Sequence, residues 1–300
     1  SVEALTCARR RLVFDEFFLF LMTMQLQKQG EEKQKNAYHF QPDDLKTYIE
    51  KLPYALTGAQ QRTLQEVLRD LQGETLMQRL IQGDVGSGKT IVAFLAMLYV
   101  SDQGCQSAIM APTEVLAKQH EQSFLELCGR FGIQKTIVLL TGSMTAKQKR
   151  EARVLIAEHT DALIIGTHAL IQEQVAYERL ALVITDEQHR FGVRQRETFA
   201  EKGQSPYILV MSATPIPRTL AIILYGDMDI SVMNEVPATR LPIKNCVVGE
   251  NYRKKANAFL EKEVAAGHQA YIICPLVEAS ENLDANNVTD YTDRLRAELS

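Results

Sequence analysis

Between residues 76 and 212, short apolar runs alternate with longer stretches of helical periodicity, and this alternation restricts the fold more than any other feature. The runs at 77–82, 107–111, 136–141, 162–167, 181–185 and 208–212 are rich in Val, Ile, Leu or Met. Strands that are apolar throughout must be covered on both faces, which crossover helices do in a parallel sheet. The stretches at 89–100, 114–128 and 146–157 are long enough for such right-handed crossovers. The pattern predicts an α/β domain, doubly wound around a parallel sheet.

A second pattern of the same kind opens after Pro237 and Pro242, with a strand expected at 244–248, a helix at 253–266 and a strand at 270–274. Two strands are too few to build a covered parallel sheet, so this region reads as the start of a second α/β domain. At the other end, residues 2–29 contain no Gly or Pro, and Val13, Phe17, Phe20 and Met24 recur at spacings of four and three. This spacing predicts a helix buried through its aromatic stripe. The polar stretch GEEKQKN at 30–36 predicts a solvated loop. The resulting division is a helical linker over 1–52, a first domain over 53–236 and an incomplete second one over 237–300. The chain begins at Ser1, inside the helical pattern, as a piece of a longer protein would.

Composition excludes several classes. With 33 Lys and Arg against 37 Asp and Glu, the net charge is −4, so a nucleic-acid coat held by bulk charge is excluded and any such contact must be local. A hydrophobic content of 46% excludes disorder of the whole chain. The cysteines Cys7, Cys105, Cys128, Cys246 and Cys274 are odd in number and widely spaced, which fits neither a disulfide framework nor a metal site. No export signal or membrane segment is expected, and the chain reads as cytoplasmic.

The chemistry begins at residues 83–90, GDVGSGKT, which match G-x-x-x-x-G-K-S/T between an apolar run and a helix. The loop formed by Gly83, Asp84, Val85, Gly86, Ser87 and Gly88 is expected to wrap phosphates with its backbone N–H groups. Lys89 would reach the β and γ phosphates and the Thr90 hydroxyl would ligate Mg²⁺. Such a site needs an acidic strand end, and Asp186-Glu187 after the run at 181–185 supplies one. Asp186 is expected to hold Mg²⁺ and Glu187 to polarise the attacking water. Small-molecule kinases share the phosphate loop but not the residues that follow.

Asp186-Glu187-Gln188-His189, Met211-Ser212-Ala213-Thr214-Pro215 and Ala111-Pro112-Thr113-Glu114 together resemble the motor motifs of superfamily 2 helicases. GDVGSGKT, DEQHRFGVRQR at 186–196 and MSATPIPRTLA at 211–221 are similar to those of the RecG family of bacterial ATP-dependent DNA helicases, and ARRRLVFDEF at 8–17 and AYIICPLVE at 270–278 extend the likeness over the whole chain. The resemblance implies a RecA-like first motor domain that uses ATP and Mg²⁺ and acts on branched or forked DNA. It implies that Gln60, in Leu-Thr-Gly-Ala-Gln at 56–60, reads the adenine edge, and that Ser212 and Thr214 couple hydrolysis to movement through His189 or Asp186. It implies DNA-backbone contacts on the loops 111–114, 141–143 and 166–168, through Thr113, Thr141, Ser143 and Thr167. Lys147, Lys149, Arg150 and Arg153 near Glu151, and Arg190, Arg194 and Arg196, are either basic DNA-side residues or solvated surface. The family's arginine fingers, worth roughly 10³ to 10⁵ in rate for such NTPases, are not found before Ser300, so the piece alone is expected to turn over slowly. A transcription-repair coupling translocase has similar motifs, and a nucleotide-binding module with little turnover is the remaining alternative for the isolated chain.

Overall fold

The apolar runs lie side by side in one parallel sheet. In the computed structural model, which describes residues 2–30, 37–43, 45–172, 174–186, 206–213, 228–235, 243–275 and 288–298, the strands are β1 (Gln78–Gly83), β2 (Gln106–Met110), β3 (Ile137–Leu140), β4 (Leu163–Gly166), β5 (Leu180–Asp186), β6 (Tyr207–Ser212) and β7 (Asp229–Met233). Their order across the sheet is β3-β4-β2-β5-β6-β1-β7, and every neighbouring pair is parallel. The six expected strands are all present. The structure adds β7, whose apolar content is diluted by Asp229 and Ser231 and which forms an edge.

The helices of the same unit are α1 (Val2–Gly30), α2 (Lys46–Ile49), α3 (Gly58–Leu71), α4 (Lys89–Asp102), α5 (Glu114–Phe131) and α6 (Ala146–Glu158). Because side chains alternate across a strand, Ile109, Ile165, Leu182, Ile184 and Leu209 face one core with Val67, Phe94, Phe124 and Phe131 from α3, α4 and α5. Ala108, Met110, Ile164 and Val183 face the other, against Ala152 and Ile156 of α6. Residues from Ile91 to Ser101 of α4 are buried without a break, the mark of a helix enclosed on all sides. Each fully buried Leu, Ile or Phe contributes roughly 1.5–3 kcal/mol. Tyr38, Phe40 and Leu45 also join this core, and the Tyr38 hydroxyl donates to the Leu180 carbonyl at 2.9 Å.

Helix starts follow from local chemistry. Thr57 and Gln60 close a capping box at α3, Thr145 and Gln148 close another at α6, and the Thr113 side chain caps α5. Such caps satisfy N–H groups that the helix itself leaves open. Gly132, at φ 70°, ends α5 in a left-handed conformation.

Two expectations are corrected. The aromatic stripe of α1 is exposed: Val13, Phe17 and Phe20 are 44%, 46% and 43% accessible. Leu12, Phe14, Phe18 and Leu19 are exposed as well, so apolar residues surround this helix instead of marking one face. Periodicity along a single helix provides no second surface to bury it against.

Residues 241–300 form a separate compact unit. It contains α7 (Arg253–Ala265) and α8 (Val288–Glu298). The expected helix at 253–266 is therefore present, but 244–248 and 270–274 are not strands, and Val247, Tyr271 and Ile273 are exposed. A strand-forming sequence without paired neighbours and a covered face has nothing to hold it as a strand.

Candidate functional site

Parallel strands bring their carboxyl ends to one edge of the sheet, where ligands of open α/β folds bind. The sheet order sorts the candidate residues along that edge. Gly83, Asp186 and Ser212 end β1, β5 and β6, three adjacent strands, whereas the loops 111–114, 141–143 and 166–168 follow β2, β3 and β4.

The 83–90 loop has the form that a phosphate cradle requires. Gly86 and Gly88 adopt φ of 80° and 85°, a region open to glycine at little cost. Lys89 and Thr90 are the first residues of α4, whose N-cap Gly88 provides no side-chain cap, and a helix N-terminus is a favourable place for an anion. The Lys89 ammonium donates to the carbonyls of Gly83 at 2.7 Å and Asp84 at 3.0 Å. Val85 N–H donates to the Asp84 carboxylate at 2.8 Å, and Ser87 N–H to the Asp84 carbonyl at 3.1 Å. The Ser87 hydroxyl is buried without a partner, as a donor awaiting an acceptor would be.

Gln60 reaches this loop from α3. Its Oε1 accepts the Thr57 N–H at 2.9 Å, and its Nε2 donates to the Ser87 carbonyl at 2.9 Å. One lone pair and one amide hydrogen remain for a further partner. Glu235, just after β7, accepts the Ala59 N–H at 3.0 Å and the Arg62 guanidinium at 3.3 Å, which fixes the start of the same helix. The Ala59 N–H, followed by Arg62, holds the Glu235 carboxyl below its ordinary range.

On the other side of the edge, the Thr113 hydroxyl accepts Leu116 N–H at 3.3 Å as the cap of α5. Ser143 donates its N–H to the Glu114 carboxylate at 2.7 Å, and its hydroxyl donates to the same group. These bonds lower the Glu114 pKa. Thr141 is fully buried and its hydroxyl has no partner, while Thr167 is nearly buried at the end of β4. Of the four hydroxyl residues after β2, β3 and β4, Thr113 and Ser143 are thus the exposed ones. Ser212 is buried at the end of β6. Glu187, His189 and Thr214, with Arg190, Arg194 and Arg196, lie outside the described residues.

Residues 57–223, more than half of the chain, match the DEAD/DEAH box helicase family. The chain belongs to that family. Among curated members it is 46% identical over 295 residues to ATP-dependent DNA helicase RecG of Bacillus subtilis, covering 98% of this chain and 43% of that protein. It is 45% identical over 289 residues to RecG of Aquifex aeolicus, covering 95% of this chain and 36% of that protein. The chain therefore spans less than half the length of these relatives. A solved structure of RecG bound to a three-way DNA junction superposes with a TM-score of 0.74 at 35% identity, over 96% of this chain and 38% of that one. The helicase MrfA, at 17% identity and a TM-score of 0.56, shares the fold.

Within this helicase fold one buried contact is not marked by any motif. His120 of α5 places Nε2 3.0 Å from Oδ2 of Asp186. The signal for it is positional: the buried residues of α5 are Ala117, His120, Phe124, Cys128 and Phe131, a helical stripe in which a histidine must find a partner. The Thr90 hydroxyl and the Asp186 carboxylate are hard oxygen donors, of the kind that a magnesium ion takes one or two of alongside phosphates and water. Among the described residues, no helix is long and apolar enough to cross a membrane.

Proposed function

We propose that the chain is the nucleotide-binding motor portion of an ATP-dependent DNA helicase or translocase of the RecG type, which remodels branched DNA and stalled forks in recombination and repair in the bacterial cytoplasm. The observation that carries this reading is the phosphate loop at the end of β1, with an uncapped α4 behind it and Asp186 two strands away on the same edge. Similarity to RecG proteins along nearly the whole chain supports the substrate class.

In this reading the loop N–H groups and Lys89 leave their internal carbonyl partners to bind the β and γ phosphates, and Gln60 turns its remaining amide hydrogen and lone pair toward adenine. Thr90 and Asp186 hold Mg²⁺, which when bound neutralises charge on the phosphate oxygens. Glu187 polarises the attacking water, and Ser212, Thr214 and His189 couple the nucleotide state to movement. Thr113, Thr141, Ser143 and Thr167 with their backbone N–H groups face the DNA backbone, with Thr141 requiring a rearrangement to do so. Residues 1–52 serve as a helical linker, 53–236 as the first motor domain and 237–300 as the beginning of the second.

The test is ATP hydrolysis by the full-length protein with and without branched DNA. Stimulation by the junction, abolished in Lys89→Ala, is expected. Hydrolysis indifferent to DNA would overturn the helicase reading, and binding of ATP unaffected by Lys89→Ala would overturn the nucleotide site itself.

A further inference from the structure

We infer that His120 is a positioning residue that links the DNA-side end of α5 to the metal-holding carboxylate of the nucleotide site. The inference rests on the reading of Asp186 above and extends it to a side chain outside every motif. His120 is 6% exposed, and the side chains of the pair are 8% and 13% accessible, with Nε2 and Oδ2 3.0 Å apart. A carboxylate that holds a metal offers only lone pairs, so in this inference Nε2 is the donor. That bond engages Oδ2 and would leave Oδ1 available to a metal or its water.

The position of His120 on α5 gives the contact its further meaning. The helix begins at the Thr113 cap, and its first residue, Glu114, holds Ser143 after β3. Six residues after Glu114, about 9 Å along the axis at ~1.5 Å per residue, the same element meets Asp186 through His120. The ring also lies 6.1 Å from that of Phe124, centroid to centroid, within the buried stripe of α5. Hydrogen-bond strength falls steeply with angle and distance, so a small axial or rotational shift of α5 changes how Asp186 is held. DNA that displaces Ser143 from Glu114 acts at one end of α5, and the other consequence appears at the metal. A leucine would pack at this place without burying a polar ring, so packing alone does not account for histidine here.

The experiment compares wild type, His120→Leu and His120→Gln in Mn²⁺ binding to the ADP-loaded chain, followed by electron paramagnetic resonance. Loss of a hydrogen bond to a ligating carboxylate is expected to weaken metal affinity by about tenfold or more in His120→Leu. His120→Gln, which retains an N–H donor at a similar reach, should restore most of it, and nucleotide affinity in excess chelator should be the same in all three. In the full-length protein, the ratio of DNA-stimulated to basal hydrolysis should fall in His120→Leu. Equal metal affinity in folded His120→Leu and wild type overturns the inference and leaves the nucleotide site standing. Failure of wild type to bind Mn²⁺ with ADP overturns the nucleotide-site reading as well. If His120→Leu does not fold, the imidazole ¹⁵N signals of wild type decide: the Nε2 signal of His120 should shift as Mg²⁺ is added with ADP, and an unmoved signal overturns the inference.

Discussion

The amide Nε2 of Gln60 donates to the carbonyl of Ser87 at 2.9 Å, which ties the first turn of α3 directly to the phosphate loop. Beside this bond stands Gly88, at φ 85°, where an added Cβ would come within 2.2 Å of the same Nε2. A side chain at 88 therefore strains the backbone and forces the Gln60 amide off the loop. Gly88→Ala is expected to destabilise the chain by roughly 1–3 kcal/mol through backbone strain alone and to abolish nucleotide binding. Adding Gln60→Ala removes the collision but not the strain, and it also gives up the capping box of α3, so the double variant should remain less stable than wild type in chemical denaturation. Full recovery would show that the left-handed backbone is not needed.

Arg79 of β1 is 8% exposed and joins three elements. Its Nε lies 2.6 Å from Asp70, and one terminal nitrogen lies 3.3 Å from Glu66 and 2.8 Å from the Ser231 hydroxyl of β7. Arg79→Met should leave Asp70 half-desolvated without its cation and cost about 2–4 kcal/mol, near the range for breaking a buried pair and reduced because Glu66 is partly solvated. Urea denaturation measures the loss. An unchanged midpoint would contradict the pinning of α3 and β7 through this residue.

Glu235 contributes to stability in a pH-dependent way. Its carboxyl is held below the ordinary value of 4.5 by the Ala59 N–H and Arg62, so the native state binds the proton less readily than the unfolded chain. The stabilisation is present above the ordinary carboxylate range and is lost as pH falls through the depressed pKa. Melting curves of wild type and Glu235→Gln should differ by a constant amount at roughly pH 5–7 and converge in more acidic buffer. A difference that grows on acidification would reverse the sign and refute the assignment.

Four of the five cysteines should fall into two kinetic classes. Burial pushes the Cys128 thiol up to about 11 and also raises that of Cys105, whereas Cys7 and Cys246 are exposed. Thiolate is the reactive form, so Cys7 and Cys246 should react promptly with an aromatic disulfide reagent at mild pH, while Cys105 and Cys128 wait for unfolding. Mass spectrometry of the labelled peptides assigns each class.

The parts of this architecture that were legible in the sequence are those encoded locally. An apolar run bounded by polar residues marks a buried strand wherever it pairs, and GDVGSGKT carries its own turn and helix start. The stripe on α1 fails as a guide because burial depends on a second surface. The segments 244–248 and 270–274 fail for the related reason that strand propensity does not supply a neighbour. The contacts of His120 with Asp186 and of Ala59 with Glu235 join residues 66 and 176 positions apart. No local spacing announces them, and they became visible only once β5 and β7 were seated beside their neighbours.

The position of β1 has a consequence for how the protein is made. Its hydrogen-bonded neighbours are β6 and β7, both of which follow every other strand in the chain. As synthesis proceeds, the phosphate-loop sequence leaves the ribosome early but waits, without a flanking strand, until Tyr207 and the residues after it have emerged. The β3-β4-β2-β5 block has all its internal neighbours before β6 is synthesised, whereas β1 can join it only through β6, which pairs with both β5 and β1. The 83–90 cradle is in this sense a product of the completed sheet, seated only in a chain that has been translated through β6.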